Sequence, residues 1–220
     1  MKIIVCIKQV PDTTEVKLDP KTGRLIRDGV PSIINPDDKN ALEEALRIKD
    51  ENPDTTVTVV SMGPPQADVA MREALAMGAD EAILISGREF GGSDTWATSY
   101  IIATAIKKIP DYDIIFCGRQ AIDGDTAQVG PQIAEQLNIP QITYVQKLDI
   151  EGDKVIVQRQ LEDGYTVVEA KMPVLLTAIK ELNTPRYMTP KGIFEAYNKT
   201  VQVWGFNDVP VDAEKIGLKG

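Results

Sequence analysis

The sequence predicts an α/β domain built on a doubly wound, mostly parallel sheet with helices on both faces and two β-hairpin insertions. Three observations carry this. Short, nearly continuous Ile/Val/Leu runs recur through the first half of the chain, as strands buried on both faces require. Stretches with apolar residues at helical spacing separate them. The loops between are short, which forces parallel pairing with right-handed crossovers.

In chain order, Lys2–Ile7, Thr56–Ser61, Glu81–Ile85 and Asp113–Cys117 read as buried strands. Helices fall between them at Pro36–Lys49, Pro65–Met77 and Asp94–Ile109. Asn35 followed by Pro36 is a helix start, a capping side chain ahead of a residue pre-set for the first turn. Gly78 closes the second helix as a left-handed residue, and Asp94 caps the third. A hairpin is expected where Val16–Leu18 and Arg24–Ile26 flank Asp19–Gly23, and another where Lys154–Gln160 and Tyr165–Lys171 flank Glu162-Asp163-Gly164. Val174–Ile179 returns as a buried strand. After Leu182 the chain reads as loop with Pro185 and Pro190, then a short helix and an acidic tail. Ligands of such sheets bind beyond the carboxyl ends of the strands, where strand order reverses. The loops after Ile7, Ser61, Ile85 and Cys117 are therefore the ones to watch.

Composition narrows the function. The 220 residues are 43% hydrophobic and 26% charged, enough for one large core. A net charge of −9 argues against a nucleic-acid partner. No apolar run approaches a membrane span, and Ile3 to Ile7 is too short for a signal peptide, so a cytoplasmic protein is expected. With 0 histidines the commonest general base and metal ligand are missing, and redox chemistry would have to come from a bound cofactor. Cys6 and Cys117 lie in strand-like segments without metal-ligand spacing and read as buried, reduced thiols.

The most informative segment runs from Gly118 to Gly130, Gly-Arg-Gln-Ala-Ile-Asp-Gly-Asp-Thr-Ala-Gln-Val-Gly. It follows a buried strand and leads into a helix expected over Thr126–Leu137, capped by Asp125 or Thr126. Free N–H groups at such a helix end bind phosphate. An ordinary strand–loop–helix junction uses the same residue types, so composition leaves both readings open. Neither common nucleotide fingerprint is present. Asp123 and Asp125 would repel phosphate and should turn away, toward backbone amides or a ribose. Phe90-Gly-Gly-Ser-Asp-Thr95 partly matches the phosphate loop of ATP pyrophosphatases, but Phe90 replaces the leading Ser, and a loop with Asp94 as helix cap explains it better.

At these residues the chain resembles the beta subunit of the electron-transfer flavoproteins. The Gly118–Gly130 segment is similar to that family's nucleotide-binding loop. Val5-Cys-Ile-Lys-Gln-Val-Pro-Asp12, Ile34-Asn-Pro36 and Ala74-Leu-Ala-Met-Gly-Ala-Asp80 agree, and Leu182-Asn-Thr-Pro-Arg-Tyr187 resembles the family's exposed recognition loop. The match runs from Lys2 to about Tyr197.

The resemblance implies an adenine-nucleotide-binding domain over residues 1–197 and a segment 198–220 directed at a partner subunit. It implies a nucleotide site at Cys6, Asn35, Asp38, Met62, Gly118, Arg119, Gln120, Ala121, Ile122, Asp123, Gly124, Asp125, Thr126, Ala127, Gln128 and Val129. Asn35 would hydrogen-bond a base or ribose, and Gln120–Thr126 would cradle phosphate. Members that only shuttle electrons hold AMP, whereas electron-bifurcating members hold a second FAD that takes electrons from NADH. The run Asp123-Gly-Asp-Thr-Ala-Gln-Val resembles the bifurcating group. Implied partners are a flavin-bearing alpha subunit, an acyl-CoA dehydrogenase-like flavoprotein docked at Leu182, Pro185, Arg186 and Tyr187, and ferredoxin or flavodoxin as low-potential acceptor. The family usually continues past Gly220 into an arm that embraces the alpha subunit. An AMP-holding carrier and an ATP-pyrophosphatase-like enzyme are the rival readings.

Overall fold

The computed structural model describes residues 1–12, 17–18, 25–26 and 31–219. The sheet is built from β1 (Lys2–Cys6), β6 (Thr56–Met62), β7 (Glu81–Ile85), β8 (Ile114–Gly118), β9 (Gln141–Glu151), β10 (Lys154–Gln160), β11 (Tyr165–Lys171), β12 (Val174–Ala178) and β13 (Val201–Trp204), in the spatial order β11-β10-β9-β12-β8-β1-β6-β7-β13. The pairs among β12, β8, β1, β6, β7 and β13 are all parallel, and β9–β10–β11 form an antiparallel meander at one edge. The expected α/β class with its mostly parallel sheet is therefore present, and each expected strand is found to within a residue or so at its ends.

Alternation along each strand divides the apolar side chains between two cores. Ile3, Val5, Val57, Val59, Leu84, Ile114 and Phe116 face one side, under the helices α1 (Pro36–Glu51) and α2 (Asp68–Met77). Ile4, Cys6, Val60, Ile83, Ile85, Ile115 and Cys117 face the other, under α3 (Thr95–Ile106) and α4 (Val129–Leu137). Asp94 caps α3 through Ala97 N–H at 2.8 Å, and Gly78 ends α2 at φ 133°, as the sequence predicts.

The hairpin at 16–26 survives as the antiparallel pair β3 (Lys17–Leu18) and β4 (Leu25–Ile26), while Val16, Asp19–Gly23 and Arg24 lie outside the described residues. Two short strands the sequence did not announce, β2 (Gln9–Pro11) and β5 (Ser32–Ile34), pair antiparallel with each other. The strand β9 also escaped notice, because Gln, Lys, Asp and Glu interrupt its apolar positions. The tail holds a further surprise. After α5 (Pro190–Asn198), Val201–Trp204 adds a parallel edge strand beside β7, and Val209 and Ile216 are buried in the α3/α4 core. Among the described residues no helix is long and apolar enough to cross a membrane.

Candidate functional site

The chain lays down β1, β6 and β7 successively toward one edge, then returns to place β8 on the other side of β1. The connections leaving β1 and β8 therefore diverge, and a crevice opens beyond their carboxyl ends. A cleft of about 400 Å³ occupies that position. This is within the usual size of small-molecule sites. Cys6, Ile7 and Lys8 line it from β1, Met62 from β6, Cys117 to Ala121 from β8, and Gly124 to Gly130 from the following loop.

Asp38 holds the two diverging strands together. It sits in the first turn of α1, where an acid suits the helix dipole, and its carboxylate accepts from Lys8 N–H at 2.8 Å and Gly118 N–H at 2.9 Å. Burial pushes its pKa up to about 7, against the lowering effect of those backbone donors and of Asn35. Close approach is possible only because residue 118 is glycine, for an added Cβ there would meet the Asp38 carboxylate and the backbone of Asp37 and Asp38.

Asn35 corrects the sequence reading. It occupies the N-cap position of α1 but makes no capping bond. Its amide instead donates to Gln120 C=O at 2.9 Å and accepts from Ile122 N–H at 3.0 Å, so it fastens the loop from behind. Its side chain is fully buried, with both ends of the amide bonded to the loop.

The helix expected from Thr126 begins at Val129, with Gln128 rather than Asp125 or Thr126 in the capping position. Asp125 and Ala127 adopt left-handed φ values of 51° and 52°, each costing about 1–2 kcal/mol, and these unwind the chain before the helix can start. Gly124 N–H and Asp125 N–H turn inward to Ala121 C=O. Among the described residues the N–H groups of Thr126, Ala127 and Gln128 take no acceptor. Alternating backbone of this kind forms an anion-binding concavity. Both acids are held by side chains rather than by backbone amides: Asp123 pairs with Lys8 Nζ at 2.6 Å, and Asp125, which lines the cleft, accepts from Gln120 Nε2 at 3.0 Å. Arg119 contacts Asp37 at 3.3 Å, and burial raises the pKa of that acid.

Of the expected site residues, Cys6, Asp38, Met62, Gly118 to Ala121 and Gly124 to Val129 line the cleft, whereas Asn35, Ile122 and Asp123 support it from outside. The second wall was missed. Ser93, Asp94, Thr95, Thr98 and Ile102 face the loop from α3 and the turn before it. Their position at the carboxyl end of β7 was the available signal. Phe90, by contrast, is buried in the core, and Ser93 Oγ accepts from Gly217 N–H at 2.9 Å, so the tail occupies the pyrophosphatase-like turn. The thiols of Cys6 and Cys117 are free and buried, and the contact with Cys6, together with burial, pushes the Cys117 thiol up.

The loop expected to project is largely fastened down. Leu182 packs against the α1/α2 core. Arg186 grips Glu43 at 2.9 and 3.2 Å and Asp50 at 2.7 Å, and the first two bonds form a fork–fork pair with a buried acid. Tyr187, 95% exposed, is the large apolar side chain of the loop that stands clear.

The fold and the cleft define a doubly wound α/β protein whose site lies at the topological switch point. Comparison with known proteins is more specific. The electron transfer flavoprotein domain family matches residues 22–209. The chain is 67% identical to an electron transfer flavoprotein subunit beta of Thermoanaerobacterium thermosaccharolyticum, over all of this chain and 84% of that protein. It is 64% identical to the subunit of the same name in Clostridium acetobutylicum, again over 100% of the chain and 84% of the relative. It is 61% identical, over 99% of the chain and 83% of the relative, to a protein of Acetobacterium woodii named caffeyl-CoA reductase-Etf complex subunit CarD. The chain belongs to the electron transfer flavoprotein family, as a beta subunit.

Proposed function

We propose that this beta subunit binds FAD in the Gly118–Val129 cleft and works in electron bifurcation. In this reading it pairs with an alpha subunit, takes electrons from NADH, and passes them to an acyl-CoA dehydrogenase-like flavoprotein and to ferredoxin or flavodoxin, in the cytoplasm. The supporting observation is the cleft at the β1/β8 switch point with its free N–H groups at Thr126–Gln128. A nucleotide fits this set: backbone donors suit phosphate, while Met62, Ile102, Val129 and Ile133 offer an apolar lining to a ring. When bound, the flavin supplies the redox chemistry, and the chain supplies binding, orientation and electrostatics. The name of the Acetobacterium relative associates that protein with a CoA-ester reductase, which favours the same class of partner here.

The test is nucleotide content. Protein purified with its alpha subunit is expected to release two FAD per heterodimer. One FAD with one AMP would establish the non-bifurcating carrier instead.

We place dehydrogenase docking on the loop of Leu182, Pro185, Arg186 and Tyr187, and contact with the alpha subunit on the segment 198–220 that follows the 1–197 nucleotide domain and packs back onto it through Val201–Trp204, Val209 and Ile216. Tyr187 is the contact residue, and Leu182 and Arg186 hold the loop. Tyr187→Ala is expected to slow electron delivery to the dehydrogenase roughly tenfold, equivalent to about 1.4 kcal/mol, without changing thermal stability. Leu182→Ala should instead lower stability by about 1–2 kcal/mol. Unchanged delivery in Tyr187→Ala would remove the loop from the docking surface.

A further inference from the structure

The second wall of the cleft is presented by α3, and α3 is strapped in place by the tail. Lys108 Nζ donates to Asp208 C=O at its carboxyl end. Tyr100 Oη accepts from Asp212 N–H at 3.1 Å, and Gly217 N–H reaches Ser93 Oγ at its amino end. Ser93 Oγ also donates to Phe90 C=O, so this hydroxyl is fully engaged. Asp94 Oδ1 is taken by the helix cap. Thr95 behaves differently. Its hydroxyl donates 3.0 Å across the mouth of the cleft to Gln128 Oε1, which links the α3 wall to the last residue before α4. A carboxamide whose oxygen is held this way keeps its NH2 group as a donor, and among the described residues Gln128 Nε2 takes no acceptor.

Resting on the reading of this cleft as a nucleotide site, we propose that Thr95 is a positioning residue for ligand recognition. It fixes the Gln128 carboxamide so that Nε2 donates to an acceptor oxygen or ring nitrogen of the bound nucleotide. Thr95 thereby makes the two walls act as one site. The attachment of α3 by the tail holds Thr95 in place, which lowers the cost of ordering Gln128 on binding.

The experiment uses the full heterodimer stripped of nucleotide and titrated with FAD and, separately, AMP. Thr95→Val, which keeps shape and removes the hydroxyl, is expected to weaken binding about five- to twentyfold with unchanged melting temperature. Thr95→Ser should bind within about twofold of the parent, because the donor is retained. Gln128→Leu should weaken binding to a similar degree, and the double variant Thr95→Val/Gln128→Leu should be no weaker than Gln128→Leu alone. Additive losses, or a Thr95→Val protein that binds like the parent, overturn the proposal. If the parent heterodimer itself retains neither nucleotide, the failure belongs to the cleft assignment and not to Thr95.

Discussion

Gly118→Ala is expected to be strongly destabilising and to abolish nucleotide binding. The new Cβ would be driven into the Asp38 carboxylate, 2.6 Å from Asp38 N and 2.7 Å from Asp37 C. Backbone atoms cannot swing aside as a side-chain tip would, so α1 must retreat from β8 or the strand end must twist. Either movement breaks the 2.9 Å bond from Gly118 N–H to Asp38, and with it the junction of β1 and β8. Overpacking against a fixed wall costs about 1–3 kcal/mol, and the stranded buried carboxylate about 1–3 kcal/mol more. The expected result is a fall in unfolding free energy of about 3 kcal/mol or more, together with loss of bound nucleotide. Gly124→Ala serves as the control, since nothing lies within 4 Å of its added Cβ and its stability should change little. Equal behaviour of the two variants in chemical denaturation would refute the account of the junction.

Asp38→Asn should also be severely destabilised, in a pH-dependent way. Both carboxylate oxygens accept backbone N–H bonds, from Lys8 and Gly118. An asparagine must turn its NH2 toward one of those donors, leaving it unsatisfied at a cost of about 1–3 kcal/mol. The wild-type acid also titrates between the two states. Its pKa rises from 3.8 unfolded to about 7 folded, so folding favours the protonated form. The group's contribution is complete below pH 3.8 and is lost as pH rises through about 7. Over that window the loss is at most about 4 kcal/mol. The asparagine cannot titrate. The stability gap between wild type and variant should therefore narrow from about pH 4 to about pH 7 and stay level above it. A gap that stays constant across this range would show that Asp38 is ionised throughout in the folded protein.

The sequence by itself determined the layered architecture. Ile/Val runs such as Ile3–Val5 and Ile114–Phe116 could only be strands buried on both faces, and helical spacing between them forced parallel crossovers. It also located the Gly118–Gly130 loop, because paired glycines after a buried strand are visible without any fold. Tertiary structure alone decided how the site is wired. Asn35 was legible as a helix cap, the role its local context favours, yet contact with a loop more than eighty residues away claims its side chain. Thr126 was a sound local helix start, yet left-handed Asp125 and Ala127 defer the helix to Val129. Leu182 and Arg186 looked exposed in a Pro-bounded loop, but burial against the core and the Glu43 pair are long-range facts. The same holds for Val201–Trp204, whose short polar-interrupted run became a strand only because β7 offered an open edge. Periodicity and turn chemistry are local and can be read along the chain. The partner of a buried polar group is chosen by which distant segment the fold brings within hydrogen-bonding reach, and no local pattern encodes that distance.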